Sequence, residues 1–512
     1  MQKRLLILTC CLLLCLRFYG ADSTDVVRQS PDSVWVAERS SLTKEWATNE
    51  RLHYDDAFSA SADEAFRPKK RTWLAATEIV GSNLGLLAFD HFVLDAAYAE
   101  VTMKTIKRNI KLTEWFWDSD VFHTNLGEHP YHGSLYFNAA RANGLNFWAS
   151  ALMTTGGSLM WELVGECELP SVNDFLATSF GGTCIGEVEY RLSDLVLDDS
   201  KRGGKRVISE LLAALISPMR GLNRVITGEA FKRRGFSPLS SKRIFSSFST
   251  GLRHVSLSCR GKYGLYTPYL DADIYYGDKT RTSGIPFESF DASLHLVIGN
   301  HQEAFNTIRA SGQIMSRNIA ESDRFVASIG LWQHFNYMFS NPIHGGETAY
   351  NISEAASAGP GFNYVWRGCD WSLDGSLMAS GVLLGGLMTD DNDNQFGRTY
   401  NVGSGFSLKN RMMLQIGRRI MARLDIDYYR LFTWIGYDNI NPEDEWFRHS
   451  TQGEAGCAWQ LMTTPLIDVI VWKNCGLRAS WTIYNRHTRY EQKTNVHSRA
   501  SEVEVGLVWH IQ

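Results

Sequence analysis

Cysteine is sparse in this 512-residue chain and poorly placed for chemistry. Three of the nine cysteines fall in the first 23 residues, and the other six (Cys167, Cys184, Cys259, Cys369, Cys457, Cys475) are scattered without a CxxC pair, which excludes a zinc ribbon. A secreted chain of this size can build its core without disulfides, so isolated buried thiols are expected, with Cys167 and Cys184 the pair worth testing as a bridge. A strong charge imbalance is also missing. The formal charge is −4, and it becomes −6 if a leader carrying Lys3, Arg4, Arg17 and Asp22 is removed, which argues against nucleic acid as a partner. No apolar run makes a clean span: the charge-free stretch Ala142 to Trp161 is broken by Asn143, Asn146, Gly156, Gly157 and Ser158. Leu5 to Leu16 is too short, and Trp73 to Ile110, although apolar on most faces, carries Glu78, Asp90, His91 and Asp95. No G-x-S-x-G elbow and no H-E-x-x-H pair occurs. The acidic stretch Asp390 to Gln395 lacks the glycine at its sixth position (Gln395) and the glutamate at its twelfth (Asn401), so it is not an EF-hand. No cofactor and no metal is expected.

Aromatic residues are plentiful at 12%, with 16 Trp and 20 Tyr, and membrane-interface girdles are one physical reason for that richness. Lys3 and Arg4, the apolar run after them, and Ala21-Asp22-Ser23 read as a signal peptide over 1–23. A polar arm over 24–68 follows, closed by the basic cluster Arg67-Pro-Lys-Lys-Arg71. Residues 69–247 read as a helical domain. In it Trp73 to Ile110 fits a buried or half-embedded helix pair, with Gly81 and Gly85 one turn apart for close packing. Ser171 and Asp174 have the spacing of a helix N-cap box. From Lys201 to Arg243 basic residues face only Glu210 and Glu229, and phospholipid head groups are a candidate partner for them.

The densest cluster of chemically capable side chains runs from Asn125 to Gly144. His129 and His132 lie three apart around Pro130, which is pre-organised for the first position of a helix with His129 at its cap. His123 and Glu128 nearby would complete a His/His/carboxylate metal set, but no spacing here is diagnostic. Tyr131, Tyr136, Asn138, Arg141 and Asn143 continue the cluster. A buried Arg141 needs a carboxylate, and Glu162, Glu166, Asp174, Glu187 and Glu189 are candidates, with Arg191 beside them. Two readings follow. In one, the cluster is a hydrogen-bonded network stitching helices together. In the other, it is a polar pocket where Arg141 binds an anionic head group and His129 or His132 acts as acid or base. The structural reading is preferred.

From about Phe248 the period becomes two. Leu270, Ala272, Ile274 and Tyr276 alternate with Asp271, Asp273 and Tyr275. Ala422, Leu424, Ile426 and Tyr428 alternate with Arg423, Asp425 and Asp427. Val503, Val505, Leu507 and Trp509 alternate with Glu502, Glu504 and His510. With a signal peptide, abundant aromatics and an alternating C-terminal strand, this predicts an α+β chain: an N-terminal helical domain and, over 248–512, a C-terminal antiparallel transmembrane β-barrel of about 12 strands.

His129-Pro-Tyr-His-Gly133, Tyr136, Ala140-Arg141 and Asn143-Gly144, with Trp161-Glu162, Gly165-Glu166, Pro170-Ser171, Asp174, Gly186-Glu187 and Tyr190-Arg191-Leu192-Ser193, resemble an uncharacterised bacterial outer-membrane family catalogued as domain of unknown function 3943. The resemblance covers roughly residues 70–240. It implies a signal-bearing Gram-negative protein with a barrel-like C-terminal half, and it carries no activity. The chain is therefore expected in the cell outer membrane, inserted by barrel-assembly machinery and in contact with membrane lipids. A role in handling lipid or another envelope component is expected. A lipid-modifying enzyme at the His/Arg/Glu cluster, or a passive pore, is the alternative.

Overall fold

A computed structural model describes residues 69–233, 244–257, 264–299, 304–341, 343, 348–389, 399–437 and 451–511. The expected signal peptide, the polar arm to residue 68, Cys259 and the acidic loop Asp390 to Gln395 lie outside the described residues. Arg71–Arg191 and Lys242–Gln512 form one compact unit, and Leu192–Ser241 belongs to another.

The first unit opens with helices α1 (Thr72–Phe92) and α2 (Met103–Asn109). A π-helical turn at Thr124–Glu128 runs without a break into α3 (His129–Ala142), so Pro130 sits in the first turn as expected, while Glu128 rather than His129 holds the cap position. Next come α4 (Phe147–Val164), the short α5 (Val172–Leu176), a second π-helical turn at Ala177–Gly181, and α6 (Gly182–Val196), within which the unit ends. The Ser171 hydroxyl accepts from the Asp174 amide at 3.3 Å, which is the expected cap.

Twelve antiparallel strands close into a barrel: β1 (Ile244–Leu257), β2 (Gly264–Tyr276), β3 (Phe290–Val297), β4 (Phe305–Glu321), β5 (Phe325–Phe339), β6 (Asn351–Arg367), β7 (Trp371–Met388), β8 (Tyr400–Ile416), β9 (Ile420–Thr433), β10 (Gly456–Trp472), β11 (Cys475–Tyr490) and β12 (Val496–Ile511). Each pairs with its chain neighbours, and β1 pairs with β12 from Ser246 with Ile511 to Leu257 with Ala500. Closure leaves no sheet edge, the one way a strand assembly satisfies its backbone in hydrocarbon. At the end holding the start of β1 and the end of β12, the connections β4–β5, β6–β7, β8–β9 and β10–β11 are two or three residues long, and the β2–β3 connection, 277–289, is the long one there. At the other end the connections are longer, with 340–350 joining β5 to β6 and 434–455 joining β9 to β10.

Alternation assigns the two faces. Leu252, Leu377, Leu408, Ile467, Val469, Leu477, Val503, Val505 and Leu507 are exposed and point outward. Their neighbours Arg253, Asp273, Asp427, Asp468, Arg478 and Glu502 are buried and point inward. The barrel is thus apolar outside and charged inside. An unpaired charge inside would cost several kcal/mol, so the lumen charges come in neutralising sets. Arg478 reaches Asp468 at 2.8 Å and Asp271 at 2.9 Å, Arg423 reaches Asp273 at 2.9 Å, and Arg411 reaches Asp425 at 3.1 Å. Arg309 pairs with Asp427, and Lys409 with Glu354. Towards the longer loops the lumen turns apolar. Met338, Ile352, Val382, Tyr429, Leu431, Met462 and Tyr484 pack there with Ile343, Ala349 and Tyr350 of the β5–β6 connection. Tyr350 stacks on Tyr484 with ring centroids 4.0 Å apart and donates to Glu502 at 2.7 Å. Paired charges and this apolar cluster thus both project into the lumen.

The second unit contains α7 (Gly203–Ile216) and α8 (Pro218–Ile226). Its basic residues are largely paired within it, which corrects the expectation of a block facing only Glu210 and Glu229. Arg206 and Arg224 share Asp199 and Glu210 at 2.7–3.0 Å. Arg220 pairs with Asp194, and Lys201 reaches Asp198 at 3.7 Å. Asp194, Asp198 and Asp199 lie just upstream of Lys201, outside the basic stretch itself.

Candidate functional site

The helices of the first unit rest on the outer wall of the barrel. Gln333 donates to the Phe180 carbonyl at 3.0 Å, and Asn125 donates to the Tyr400 hydroxyl at 2.8 Å, which itself donates to the Asp120 carbonyl at 2.8 Å. Phe122 packs between Tyr337, Phe339 and Tyr400, with centroids 5.2–6.1 Å apart. Gly386 gives Leu126 its seat, and Gly181 lies against Ala355. Further along, Cys184 contacts the Ala310 carbonyl, Phe147 stacks on Phe287 at 5.6 Å, and Arg191 donates to the Pro286 carbonyl at 2.6 Å. Gln333, Tyr337, Ala310 and Ala355 alternate with the lumen residues His334, Asn336, Arg309 and Glu354. The helices therefore cover wall from β4 to β8 and do not plug the lumen.

The polarity of α1 and α4 is inverted, although Ala75, Ala140 and Leu145 make a small apolar core between the helices. On α1 the buried positions include Glu78, Asn83 and Asp90, while Trp73 is 89% exposed, Leu84 56% and Phe92 80%. On α4 the buried positions include Ser150, Thr154, Ser158 and Glu162, while Leu152 is 73% exposed and Trp148 59%. A helix of a water-soluble domain carries its apolar stripe inward. No helix among the described residues is long and apolar enough to cross a membrane.

The polar interior is a connected network, and the Asn125–Gly144 cluster is its centre. His132 sits 2.7 Å from the Tyr136 hydroxyl, which donates to Asn83, and Asn83 donates to the Gly157 carbonyl at 3.2 Å. Trp161 meets the His132 ring edge-on at 5.3 Å. His129 turns instead to Asp174 at 3.5 Å and Thr178 at 3.4 Å. His123 pairs with Glu128 at 2.8 Å. The sequence-level metal set His123, Glu128, His129 and His132 is therefore not assembled.

Arg141 takes one of its five candidate acids. Its guanidinium grips Glu187 in two bonds of 2.7 and 2.9 Å, donates to the Leu145 carbonyl at 3.0 Å and lies 4.5 Å over the Tyr190 ring. Arg191 binds the same Glu187 at 2.9 Å. The other acids have separate partners. Glu162 accepts from the Ser171 amide at 2.7 Å, Glu166 from the Trp161 indole, and Glu189 from Asn138 at 2.9 Å. Asn143 donates to Glu78 at 2.8 Å.

Each part of His129-Pro-Tyr-His-Gly133 has a packing role except Tyr131, whose side chain is 47% exposed. Pro130 abuts Gly181, and a Cβ on Gly133 would strike the backbone of Thr178 and Gly182. Helix α3 thus crosses the start of α6 backbone to backbone, and Gly186 one turn on lies against Phe137. Cys167 and Cys184, the pair considered for a bridge, are both free thiols.

Burial governs the proton chemistry. It pushes His132 down to about 3, with the charge of His129 acting in the same direction, so the ring is neutral near pH 7. Burial pushes Glu166 up to about 8, opposed by His129, and Glu189 up to about 8, opposed by hydrogen bonds from Ser134 and Asn138. A general acid or base needs a value near the working pH and reach to a substrate atom. His132 has neither.

Asn83, Glu78, Trp161 and Thr178 were not foreseen as partners of the cluster. The available signal was polar residues recurring inside the apolar α1 stretch, which in an inverted bundle mark the inner face.

Residues 114–219 match a protein family described as Domain of unknown function (DUF3943). No curated protein matches the chain. Among solved structures, OmpT of Vibrio cholerae in its trimer form is 7% identical over 53% of this chain and 99% of that one, with a TM-score of 0.23. The NanC porin is 9% identical over 51% and 100%, with a TM-score of 0.24. The transport unit of the autotransporter AIDA-I of Escherichia coli is 11% identical over 56% and 96%, with a TM-score of 0.21.

Proposed function

We propose that this chain is an outer-membrane protein whose closed barrel carries a lipid-facing helical bundle on its outer wall, and that it handles lipid or another envelope component along that seam. The observation that carries the reading is the inverted polarity of the bundle. Apolar side chains of α1 and α4 face outward beside a barrel wall whose own outward positions are apolar, and a surface of that kind is stable against hydrocarbon rather than water. Supporting features lie on the barrel. Phe406, Tyr428, Trp459, His487 and His497 form a run of neighbouring rings across five strands towards the long-loop end, 3.8–6.4 Å apart. Trp366 and Trp371 pair at the short-turn end, 5.7 Å apart. Aromatic side chains near both ends of the strands fit the two interfaces of a bilayer.

The paired charges and the apolar cluster inside the barrel weigh against a passive pore. Catalysis at His129, His132 and Arg141 finds less support than a structural role, because all three are committed to partners within a packed core. Membrane lipids and the barrel-assembly machinery are the partners this reading calls for. The test is envelope fractionation of the full chain in a Gram-negative host. The protein is expected with outer membranes, migrating faster on gels when unheated than when boiled. Recovery as soluble periplasmic protein would overturn the reading.

A further inference from the structure

Inside the barrel, the geometry points to a divalent metal site made by His295, Glu502 and Glu504. Their ligand atoms all lie within 4.8 Å of one another, and among the described residues no other group of three His, Cys, Asp or Glu side chains does so. The strands explain the convergence. Glu502 and Glu504 are two apart on β12 and share its inner face, while His295 faces inward from β3, with only β1 and β2 between them in the wall.

The imidazole is oriented as a ligand. Its Nδ1 faces Asp271 Oδ1 at 3.7 Å, and its plane stacks on Tyr269 at 5.4 Å. Its Nε2 is buried without a hydrogen-bond partner, although Glu504 Oε1 is only 3.3 Å away. A carboxylate facing one ring nitrogen favours the tautomer that leaves the other nitrogen's lone pair free, the usual arrangement around a metal-bound histidine. Two ligands each about 2.1 Å from a tetrahedral ion stand about 3.4 Å apart, which the Nε2–Oε1 separation already matches.

The carboxylates are held from behind. Arg253 and Tyr350 both bind Oε2 of Glu502, at 2.6 and 2.7 Å, and Ser480 donates to Oε2 of Glu504 at 3.0 Å. That leaves Oε1 of each acid for an ion. One nitrogen and two carboxylate oxygens suit a borderline divalent ion such as zinc or manganese. The ion would tie β3 to β12 across the lumen, a structural role that leaves the helical bundle untouched.

The test uses full-length protein in detergent, stripped with chelator and titrated calorimetrically with zinc or with manganese alone. One equivalent is expected to bind. His295→Ala should abolish that binding, and Asp271→Asn should weaken it by about 10–100-fold. Removing the outer-surface pair with His487→Ala and His497→Ala should leave it unchanged. Heat-modifiable gel migration reports whether each variant keeps its barrel, and Glu504→Gln, nearly isosteric, replaces His295→Ala if the latter does not fold. No stoichiometric uptake of either ion, equal uptake by folded His295→Ala or Glu504→Gln, or loss of uptake on removing His487 and His497 would overturn the site.

Discussion

At the residue scale, the buried acids and histidines of the bundle behave as parts of a network. Glu189 is the cleanest probe, because its carboxyl, hydrogen-bonded by Ser134 and Asn138 of α3, is raised by burial from 4.5 to about 8. For a group raised in the folded state, the stabilising contribution is complete below its ordinary value and is lost as pH rises through the folded value. The helical unit should therefore lose stability between about pH 4.5 and 8, and Glu189→Gln should flatten that loss. Thermal unfolding followed by far-ultraviolet circular dichroism at pH 5, 6.5 and 8 measures it, and an unchanged slope in the variant would contradict the assignment. His132 acts in the opposite sense. Its folded value of about 3 means that stability rises with pH up to its ordinary value of 6.5. The residue types were legible in the sequence, and so was the need of Arg141 for an acid. Which acid it takes was not, because five carboxylates lie within one helical region and only the crossing of α3 with α6 brings Glu187 to it.

At the element scale, period carried most of the information. Strand alternation placed Asp271, Asp273, Arg423, Asp425, Glu502 and Glu504 on one face, and all of them turn into the lumen. The helices were harder to read. An amphipathic helix looks the same in sequence whether its apolar stripe faces a core or a bilayer, so the inversion of α1 and α4 became visible only from which positions are buried. The histidine motif likewise invited a metal site, whereas its glycine is the sterically demanding member. Gly133→Ala should push α3 away from Thr178 and Gly182, costing roughly 1–3 kcal/mol as overpacking in a tight core does. Limited proteolysis is the check: faster cleavage within 71–191 with the barrel intact is the expected result, and unchanged protection would mean that the crossing is looser than the structure has it.

At the scale of the whole molecule, barrel and bundle share one logic: polar groups inside, apolar groups outside. The barrel fold follows from sequence period, and its closure at about twelve strands was anticipated. That the helices dock on the outer wall was not, since Phe122, Leu126 and Gly181 meet strands more than 170 residues downstream and no local pattern encodes such a contact. The proposed function requires lipid against the outer faces of α1 and α4. The most direct measurement is the unfolding free energy in lipid vesicles of Leu84→Arg and Leu152→Arg, at two positions exposed by 56% and 73%. A charge set into hydrocarbon on the lipid face of a membrane protein costs about 2–4 kcal/mol at the bilayer centre, and losses of that order are predicted at both positions. Changes within about 0.5 kcal/mol, as at ordinary water-exposed sites, would mean that these faces meet water and not lipid.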